Sequence, residues 1–414
     1  MELPINLKLD IIQSLALASL VLMLGTWVKR RMTMLDRLNI PAAVVGGLLC
    51  SLLLLTLRGR VLNLEADTTL RDLFMIAFFT TIGFGASLQL LRIGGVQVLL
   101  YFGLATVVAV AQNAIGIGIA QAFGLHPLLG IIAGSVSLAG GPATSLAFGP
   151  TFEQLGVAGA TTLGLASATF GITLGGLIGG PVGTHLIHRH RLLAAPSSRK
   201  APAFDPILEV PSANELKDEV AALSEEGAER SEVLHSILLI ALAMGIGTVI
   251  SQWFNAHRIV LPAYIGAMLV AALLRNLDDR FKFVRLLPSQ IEAIGNISLS
   301  IFIAMALMNL RLWELVRLAL PLVVILVAQV ILVLLVSYTI SFYLMGRDYD
   351  SAVMAGGFVG FMLGTTANAM ACMDALVQKF GPAPRAYLVV PIVGAFLIDF
   401  TNALIITTMS NLFQ

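Results

Sequence analysis

Two apolar stretches of the sequence contain glycine and hydroxyl residues at a density that a lipid-facing helix does not tolerate. They are residues 127–150, with four hydroxyl side chains and two adjacent glycines within 134–145, and residues 351–375. Main-chain amides at the start of a broken helix bind carboxylates, because the helix dipole lies behind them. Two such segments could hold a dicarboxylate between them. The candidate substrate ligands are Ser135, Ser137, Gly140, Gly141, Thr144 and Ser145 in the first stretch and Gly364, Thr365, Thr366 and Asn368 in the second. For any single glycine among them, close helix packing is the commoner role.

A lone carboxylate lies in the last apolar run, residues 386–411. Asp399 has no Lys or Arg in the same run, and a buried unpaired carboxylate in a membrane is usually functional. Three interpretations stay open: it pairs with a substrate ammonium, it coordinates sodium beside Thr401 and Asn402, or it caps a neighbouring broken helix. Sodium prefers hard oxygen ligands. Asn296 and Ser298, in an earlier apolar run, are further cation candidates.

The sequence offers little support for an enzyme or a nucleic-acid-binding protein. His185, His188 and His190 accompany Arg189 and Arg191 at the end of an apolar run, which favours a basic membrane anchor over a metal site. No His-Glu-x-x-His, Walker or Ser-His-Asp pattern is present, and the net charge is only +1. Sodium, for which Asp399 and its neighbours offer oxygen ligands, is therefore the metal ion that we keep as a candidate.

Composition assigns the chain to the membrane. Of its 414 residues, 57% are apolar and 12% are charged, and the long apolar runs exceed the roughly 20 residues that cross a bilayer. We predict an all-α polytopic protein without a signal peptide. Its spans fall near 11–28, 40–57, 73–90, 97–123, 157–184, 234–256, 260–274, 291–310, 315–345 and 386–411.

The spans form two related halves. Offset by about 220 residues, Pro41 meets Pro262, and Gly124 and Gly134 meet Gly346 and Gly356. Five crossings in each half make the repeats inverted, which suits alternating access. We expect a first repeat at 1–188, a cytoplasmic linker at 189–232 and a second repeat at 233–414, with a re-entrant hairpin in each repeat. Placing both termini outside puts 18 of the 25 Lys and Arg residues on the cytoplasmic side.

Longer stretches of the sequence resemble the bacterial glutamate:sodium symporter family. They include residues 70–83, 112–118, 169–181, 295–300, 304–308 and 390–399. The resemblance implies an electrogenic importer of glutamate with sodium in the cytoplasmic membrane, a homodimer and an elevator motion. It also assigns functional positions, namely Ser135, Ser137, Gly140, Gly141, Thr144, Gly360, Gly364, Thr365, Asp399 and Asn402.

Both hairpin tips depart from the pattern of that family. The chain reads Gly-Gly-Pro-Ala-Thr over 140–144 where the family has Gly-Gly-His-Gly-Thr, and Thr-Ala-Asn over 366–368 where it has Thr-Pro-Thr. Substrate choice is therefore less firmly implied than the fold. The alternatives are sodium-coupled transport of another small dicarboxylate and, in a different class, a passive anion channel, since glycine-rich re-entrant segments also build filters.

Overall fold

The computed structural model describes residues 5–32, 35, 40–57, 62–89, 95–192, 215–257, 261–282, 287–308, 310 and 319–413. Its helices in the first half are α1 (Ile11–Arg31), α2 (Ala42–Leu57), α3 (Thr69–Gly85), α4 (Gly95–Ala122), α5 (Pro127–Ile131), α6 (Gly141–Gln154) and α7 (Ala160–His190). Those in the second half are α8 (Glu215–Ala256), α9 (Ala263–Phe281), α10 (Pro288–Met308), α11 (Ala319–Val336), α12 (Phe342–Leu344), α13 (Tyr349–Leu363), α14 (Thr366–Phe380), α15 (Pro384–Ile392) and α16 (Ile398–Leu412). Wider π-helical turns at Ile132–Val136, Ser337–Ser341 and Val393–Leu397 follow α5, α11 and α15.

Six described helices are long and apolar enough to cross a membrane. They are Ile11–Arg31, Gly95–Ala122, Ala160–His190, Val233–Ala256, Pro288–Met308 and Ala319–Leu344. The chain is thus a multi-pass helical membrane protein. The other four predicted spans are helical as well, but α2 and α3 have only 16 and 17 residues, and a π-turn interrupts the last one. The total of ten crossings therefore stays a prediction.

A small sheet near the N-terminus was not predicted. Strands β1 (Ile5–Lys8) and β2 (Leu62–Glu65) pair in parallel, with Ile5 opposite Leu62 and Lys8 opposite Glu65. The exposed Lys8 Nζ and Glu65 Oε2 atoms lie 3.3 Å apart. Each strand has four residues, too few for a period-two pattern to stand out in an apolar sequence.

Much of the predicted linker lies outside the described residues, which omit 193–214. From Glu215 the chain is helical without a break through Ala256, so the second part of the predicted linker continues into the sixth predicted span. A continuous helix of 42 residues was not predicted here. Arginines counted for the predicted orientation also lie outside the described residues: Arg37, Arg92 and Arg285 on the predicted cytoplasmic side, and Arg58, Arg60, Arg258, Arg311 and Arg317 on the other side.

The helices pack in two groups. The scaffold group comprises α1, α2, α3, α8, α9 and α10, and its most extensive contacts join α9 to α3 and to α8. The hairpin group comprises α4–α7 and α11–α16, and its most extensive contact joins α7 to α13. Contacts between the groups are far sparser; one of them is the edge-on packing of Phe148 in α6 against Tyr264 in α9, with ring centroids 5.3 Å apart.

Glycines bring the scaffold helices together in a related way in both halves. A Cβ on Gly25 would lie 2.0 Å from the Ala42 carbonyl oxygen, where α1 meets α2, and a Cβ on Gly266 would lie 2.3 Å from the Gly247 carbonyl oxygen, where α9 meets α8. Small residues at these positions let two backbones touch.

Helices from different halves are interlocked in the same group. A Cβ on Gly83 would lie 2.2 Å from the Met268 carbonyl oxygen, and one on Gly47 would lie 2.5 Å from the Leu307 side chain. The Ser51 hydroxyl donates to the Leu307 carbonyl. Helices α2 and α3 of the first half are therefore packed directly against α10 and α9 of the second.

A row of four glycines on α7 receives α13. Gly171, Gly175, Gly179 and Gly183 recur every fourth residue and so share one face of the helix. A Cβ would lie 2.0 Å from the Leu363 carbonyl oxygen at Gly171 and 2.7 Å from the Gly356 carbonyl oxygen at Gly179. This contact holds the second hairpin against the fifth predicted span.

Candidate functional site: the hairpin tips and the last span

Both glycine-rich stretches form a helix, a break and a second helix, over 127–154 and 349–380. In the first hairpin, the backbone leaves helical geometry at Gly134 (φ −98°, ψ −128°), and α6 begins at Gly141. In the second, it does so at Gly364 (φ −137°, ψ −112°), and α14 begins at Thr366.

The tips of the two hairpins touch. Gly141 has φ +69°, and a Cβ there would lie 3.2 Å from the Thr365 methyl group and 3.9 Å from the Gly364 carbonyl oxygen. The last span reaches the same place, because a Cβ on Gly394 would lie 2.9 Å from Thr366 Oγ1. Three separate parts of the sequence thus converge.

Two uncapped helix N-termini lie at this junction. No side chain caps α6 at Gly140 or α14 at Thr365, although these helices have 14 and 15 residues. The first amides of a helix have no intrahelical acceptor and carry the positive end of its dipole. The junction can therefore bind two carboxylate groups through main-chain N–H groups.

Two asparagines hold the break in the first hairpin. The Ser135 amide donates to Asn113 Oδ1 at 2.9 Å, and Asn402 Nδ2 donates to the Ser135 carbonyl at 3.0 Å. Both asparagines are buried. Asn113 supplies an acceptor for the Ser135 amide, Asn402 gives the Ser135 carbonyl a donor in addition to the Gly140 amide, and the two side chains tie the hairpin to α4 and α16.

We call the contact of Ser135 with Asn113 and Asn402 the clamp. Oxygen atoms without hydrogen-bond partners lie on its residues and on the same helix. Ser135 Oγ and Asn402 Oδ1 are buried and accept or donate no hydrogen bond within the described chain. Asp399 lies one turn before Asn402 on the same face of α16, and no described group forms a hydrogen bond or ion pair with its carboxylate. A carboxylate, an amide oxygen and a hydroxyl are hard ligands suited to sodium. The capping interpretation of Asp399 finds no donor here.

Several predicted ligands have other partners. The Ser137 hydroxyl donates to the Ile132 carbonyl, and Ser145 Oγ lies 2.9 Å from both Ser137 Oγ and the Gly141 carbonyl oxygen. Asn368 Nδ2 donates to the Ile172 carbonyl at 2.6 Å, so this residue anchors the second hairpin to α7. The two serine hydroxyls and the Asn368 NH₂ group thus stabilise the hairpins from within, while Asn368 Oδ1 is buried without a partner in the described chain.

The cation candidates outside the clamp are not brought to it. Thr401 Oγ1 donates to the Leu397 carbonyl of its own helix at 2.9 Å. Asn296 is exposed and Ser298 is buried on α10, which packs mainly against α2 and α3, and neither side chain bonds to the clamp. The described contacts do not bring Asn296 and Ser298 to the clamp, and their role as sodium ligands stays a prediction.

The three histidines at the end of α7 each face an aromatic ring. Ring centroids lie 5.6 Å apart for His185 and Tyr338, 5.4 Å for His188 and Phe380, and 4.9 Å for His190 and Phe342. They fix the end of α7 to the helices around it.

An apolar cavity of about 410 Å³ lies elsewhere, between α2 and α7. Leu48 and Leu310 form one wall, and α7 residues from Thr162 to Leu174 form the other. The Thr169 and Thr173 hydroxyls donate to carbonyls of their own helix. The cavity separates the scaffold group from the hairpin group and offers little to an anion.

Comparison with known proteins decides the family. The model of the family described as sodium/glutamate symporter matches residues 7–382. The sodium/glutamate symporter of Escherichia coli (strain K12) is 40% identical over 401 residues, covering 96% of both chains. That of Haemophilus influenzae is 37% identical over 396 residues, covering 94% of this chain and 95% of the other.

The chain belongs to the sodium/glutamate symporter family. The resemblance that the sequence suggested is thereby confirmed, and the chain is a transporter and not an enzyme. A solved structure of the sodium proton antiporter MjNhaP1 from Methanocaldococcus jannaschii is also similar, at a TM-score of 0.45 and 14% identity over 98% of both chains, a likeness too low to add to the assignment. In this symporter, the matched range includes both hairpins, while Asp399 and Asn402 follow its last residue.

The tip glycine of the first hairpin gives a first prediction. Gly141→Ala introduces a Cβ at a left-handed φ and against the Thr365 methyl group, which we expect to cost about 1–2 kcal/mol and to weaken substrate binding roughly tenfold. Uptake at graded glutamate concentrations measures the change. Gly118→Ala, where a Cβ meets nothing within 4 Å, is the control; equal effects of the two substitutions would contradict the prediction.

The base of the second hairpin gives a second prediction, on the pH dependence of stability. Burial acts to raise the pKa of Asp348, but hydrogen bonds from the Ser351 hydroxyl and amide and from Arg385 outweigh it and hold that pKa below its usual value. Arg385 Nη2 lies 2.5 Å from Asp348 Oδ1, and Asp350 accepts from the Arg385 amide at 2.9 Å.

The sign of the pH dependence follows from the depressed pKa. The contribution of Asp348 to stability is present above its unfolded pKa of about 3.9 and is lost as pH falls through the lower folded value. We expect Asp348→Asn to reduce the melting temperature of the purified protein at pH 7, and the size of that reduction to shrink steadily as the pH falls below about 4. A deficit that does not shrink below that pH would contradict this assignment.

Proposed function

We propose that this symporter imports glutamate together with sodium by alternating access across the cytoplasmic membrane. The observation that carries the proposal is the meeting of two uncapped helix N-termini beside a carboxylate that has no described partner. The first arrangement suits an anion with two carboxylates, and the second suits a cation. Sodium is here a transported ion.

We assign the substrate to the tips and sodium to the clamp. The amides that begin α6 and α14, with the Thr144 and Thr366 hydroxyls nearby, bind the glutamate carboxylates. Asp399, Asn402 Oδ1 and Ser135 Oγ bind sodium. Ser135 therefore moves from the substrate set to the cation set, because its unpartnered hydroxyl belongs to the residue that Asn402 contacts.

An elevator motion of inverted repeats is supported by the two groups of helices. Both hairpins lie in one group, with spans from both halves, and the contact between the groups is sparse. The glycine contacts of α1 with α2 and of α8 with α9 recur at about the offset expected for a repeat. We propose that the hairpin group slides against the scaffold group, that the scaffold forms a homodimer, and that both termini lie outside.

Uptake of radiolabelled glutamate into proteoliposomes tests the function. Concentrative uptake only with an inward sodium gradient is expected, and equilibration without sodium would instead indicate a passive anion channel. Unlabelled aspartate and citrate test the substrate. Binding of either competitor, without glutamate uptake, would indicate that the substrate is another dicarboxylate. Pro142 and the exposed Ala367 change the hairpin tips and would be the structural reason for such a change of substrate.

A further inference from the structure

Two fully buried glutamines meet where α4 crosses α11. Gln112 and Gln329 both have no exposed surface, and Gln329 Nε2 donates to the Gln112 main-chain carbonyl at 2.7 Å. Gln112 Nε2 donates to the Met362 carbonyl at 2.9 Å. Met362 lies two residues before the break at Gly364, so this junction contacts the second hairpin close to its tip.

The amide groups of these glutamines are satisfied on one side only. Both NH₂ groups donate to carbonyls, whereas Gln112 Oε1 and Gln329 Oε1 are buried and have no hydrogen-bond partner in the described part of the chain. A buried acceptor without a partner is rare in a native protein and points to an ion or a water that completes it. Neighbouring residues of α4 serve both hairpins, because Asn113 holds the first at Ser135 while Gln112 holds the second.

We propose that Gln112 Oε1 and Gln329 Oε1 bind a second transported sodium ion. Amide oxygens are hard ligands, and carbonyls at broken helices complete such sites in other transporters. The proposal rests on the proposed function. Glutamate with one sodium carries no net charge, so only a second cation lets the membrane potential drive import.

Neutral ligands make this second ion depend on the substrate. Among the described residues, no carboxylate or other titratable side chain forms a hydrogen bond with the two glutamines, so the ligand oxygens do not balance the charge of the ion. Glutamate bound at the tip, close to Met362, supplies a negative charge. Sodium and glutamate then raise each other's affinity, as coupled transport requires.

The stoichiometry of accumulation tests the site. In proteoliposomes clamped at zero potential, the final ratio of internal to external glutamate depends on the ratio of external to internal sodium. It equals the square of the sodium ratio if two ions are coupled and the sodium ratio itself if one ion is coupled. A tenfold sodium gradient then gives about 100-fold accumulation in the natural protein and about 10-fold in Gln329→Met. Gln121→Met, on the exposed side of α4, is the matched control and is expected to keep the square dependence.

A second variant covers the case in which Gln329→Met fails to fold. Gln329→Glu keeps an oxygen at the site and adds charge, so the sodium concentration for half-maximal uptake is expected to fall severalfold. A square dependence in folded Gln329→Met, or an unchanged half-maximal concentration in Gln329→Glu, overturns the site and indicates a bridging water. Absence of sodium-dependent uptake in the natural protein would instead refute the proposed function.

Discussion

Asp399→Asn is expected to reduce sodium-dependent glutamate uptake by at least about 100-fold, to the level of empty liposomes. Asparagine keeps the shape of the side chain and one oxygen but removes the negative charge that offsets the sodium ion. Asp374→Asn is the control, because Asp374 is exposed and accepts from the Tyr387 hydroxyl, a bond that an amide oxygen can also accept. Normal concentrative uptake by the Asp399 variant would remove this residue from the site.

The same variant separates two of the interpretations of Asp399, the substrate ammonium and the sodium ion. If its carboxylate pairs with the substrate ammonium, Asp399→Asn should lose the preference for glutamate over glutarate, which lacks the amino group. If it binds sodium, that preference should survive in direct binding measurements while sodium no longer promotes binding. Asn402→Ala should then raise the sodium concentration for half-maximal uptake about tenfold, a loss near 1.4 kcal/mol for one ligand oxygen.

Gly171→Val is expected to destabilise the protein more than any other single change considered. Its Cβ would lie 2.0 Å from the Leu363 carbonyl oxygen, a main-chain atom that cannot move without shifting α13 and the tip at Gly364. Overpacking of this kind costs about 3 kcal/mol or more, and we expect the melting temperature in detergent to fall by about 5–10 °C. Fluorescence-detected size exclusion after heating measures it.

Gly180→Val is the matched control for that change. Gly180 lies on the same helix, and a Cβ there meets nothing within 4 Å. Both substitutions replace glycine by the same β-branched residue, so any loss due to helix propensity alone is shared. A similar fall in melting temperature for the two variants would show that the row of glycines on α7 is not a close contact.

Sequence reasoning located the helices and the two broken segments well, because long apolar runs and dense glycine are local signals. It missed what depends on a partner distant in sequence. The span predicted at 73–90 is a helix at Thr69–Gly85. It begins earlier because Arg71 and Asp72 pair with each other in its polar first turn, and it ends at Gly85, after which the Ala86 amide donates to the Gly83 carbonyl.

Hydroxyl and amide roles were the least predictable part of the site. Ser135, Ser137 and Ser145 look alike in sequence, yet only Ser135 leaves its oxygen without a partner, because the break at Gly134 turns it toward Asn113 and Asn402. Gln112 and Gln329 donate through their amide nitrogens to carbonyls of neighbouring helices, while their buried amide oxygens have no partner in the described chain. Conformation at the break, and not residue type, decides these roles.

The interlocking of α2 and α3 with α10 and α9 also constrains how the chain is made. At a synthesis rate of about 5–20 residues per second, on the order of 10–40 s pass between the emergence of Gly83 and that of Leu307. During that interval the close-packing surfaces at Gly47 and Gly83 face lipid or an insertion factor. Their partners, Leu307 and Met268 respectively, have not yet been synthesised or have only just emerged. The first half is therefore inserted before its scaffold helices are packed, because α2 and α3 reach their final contacts only after α9 and α10 have been synthesised.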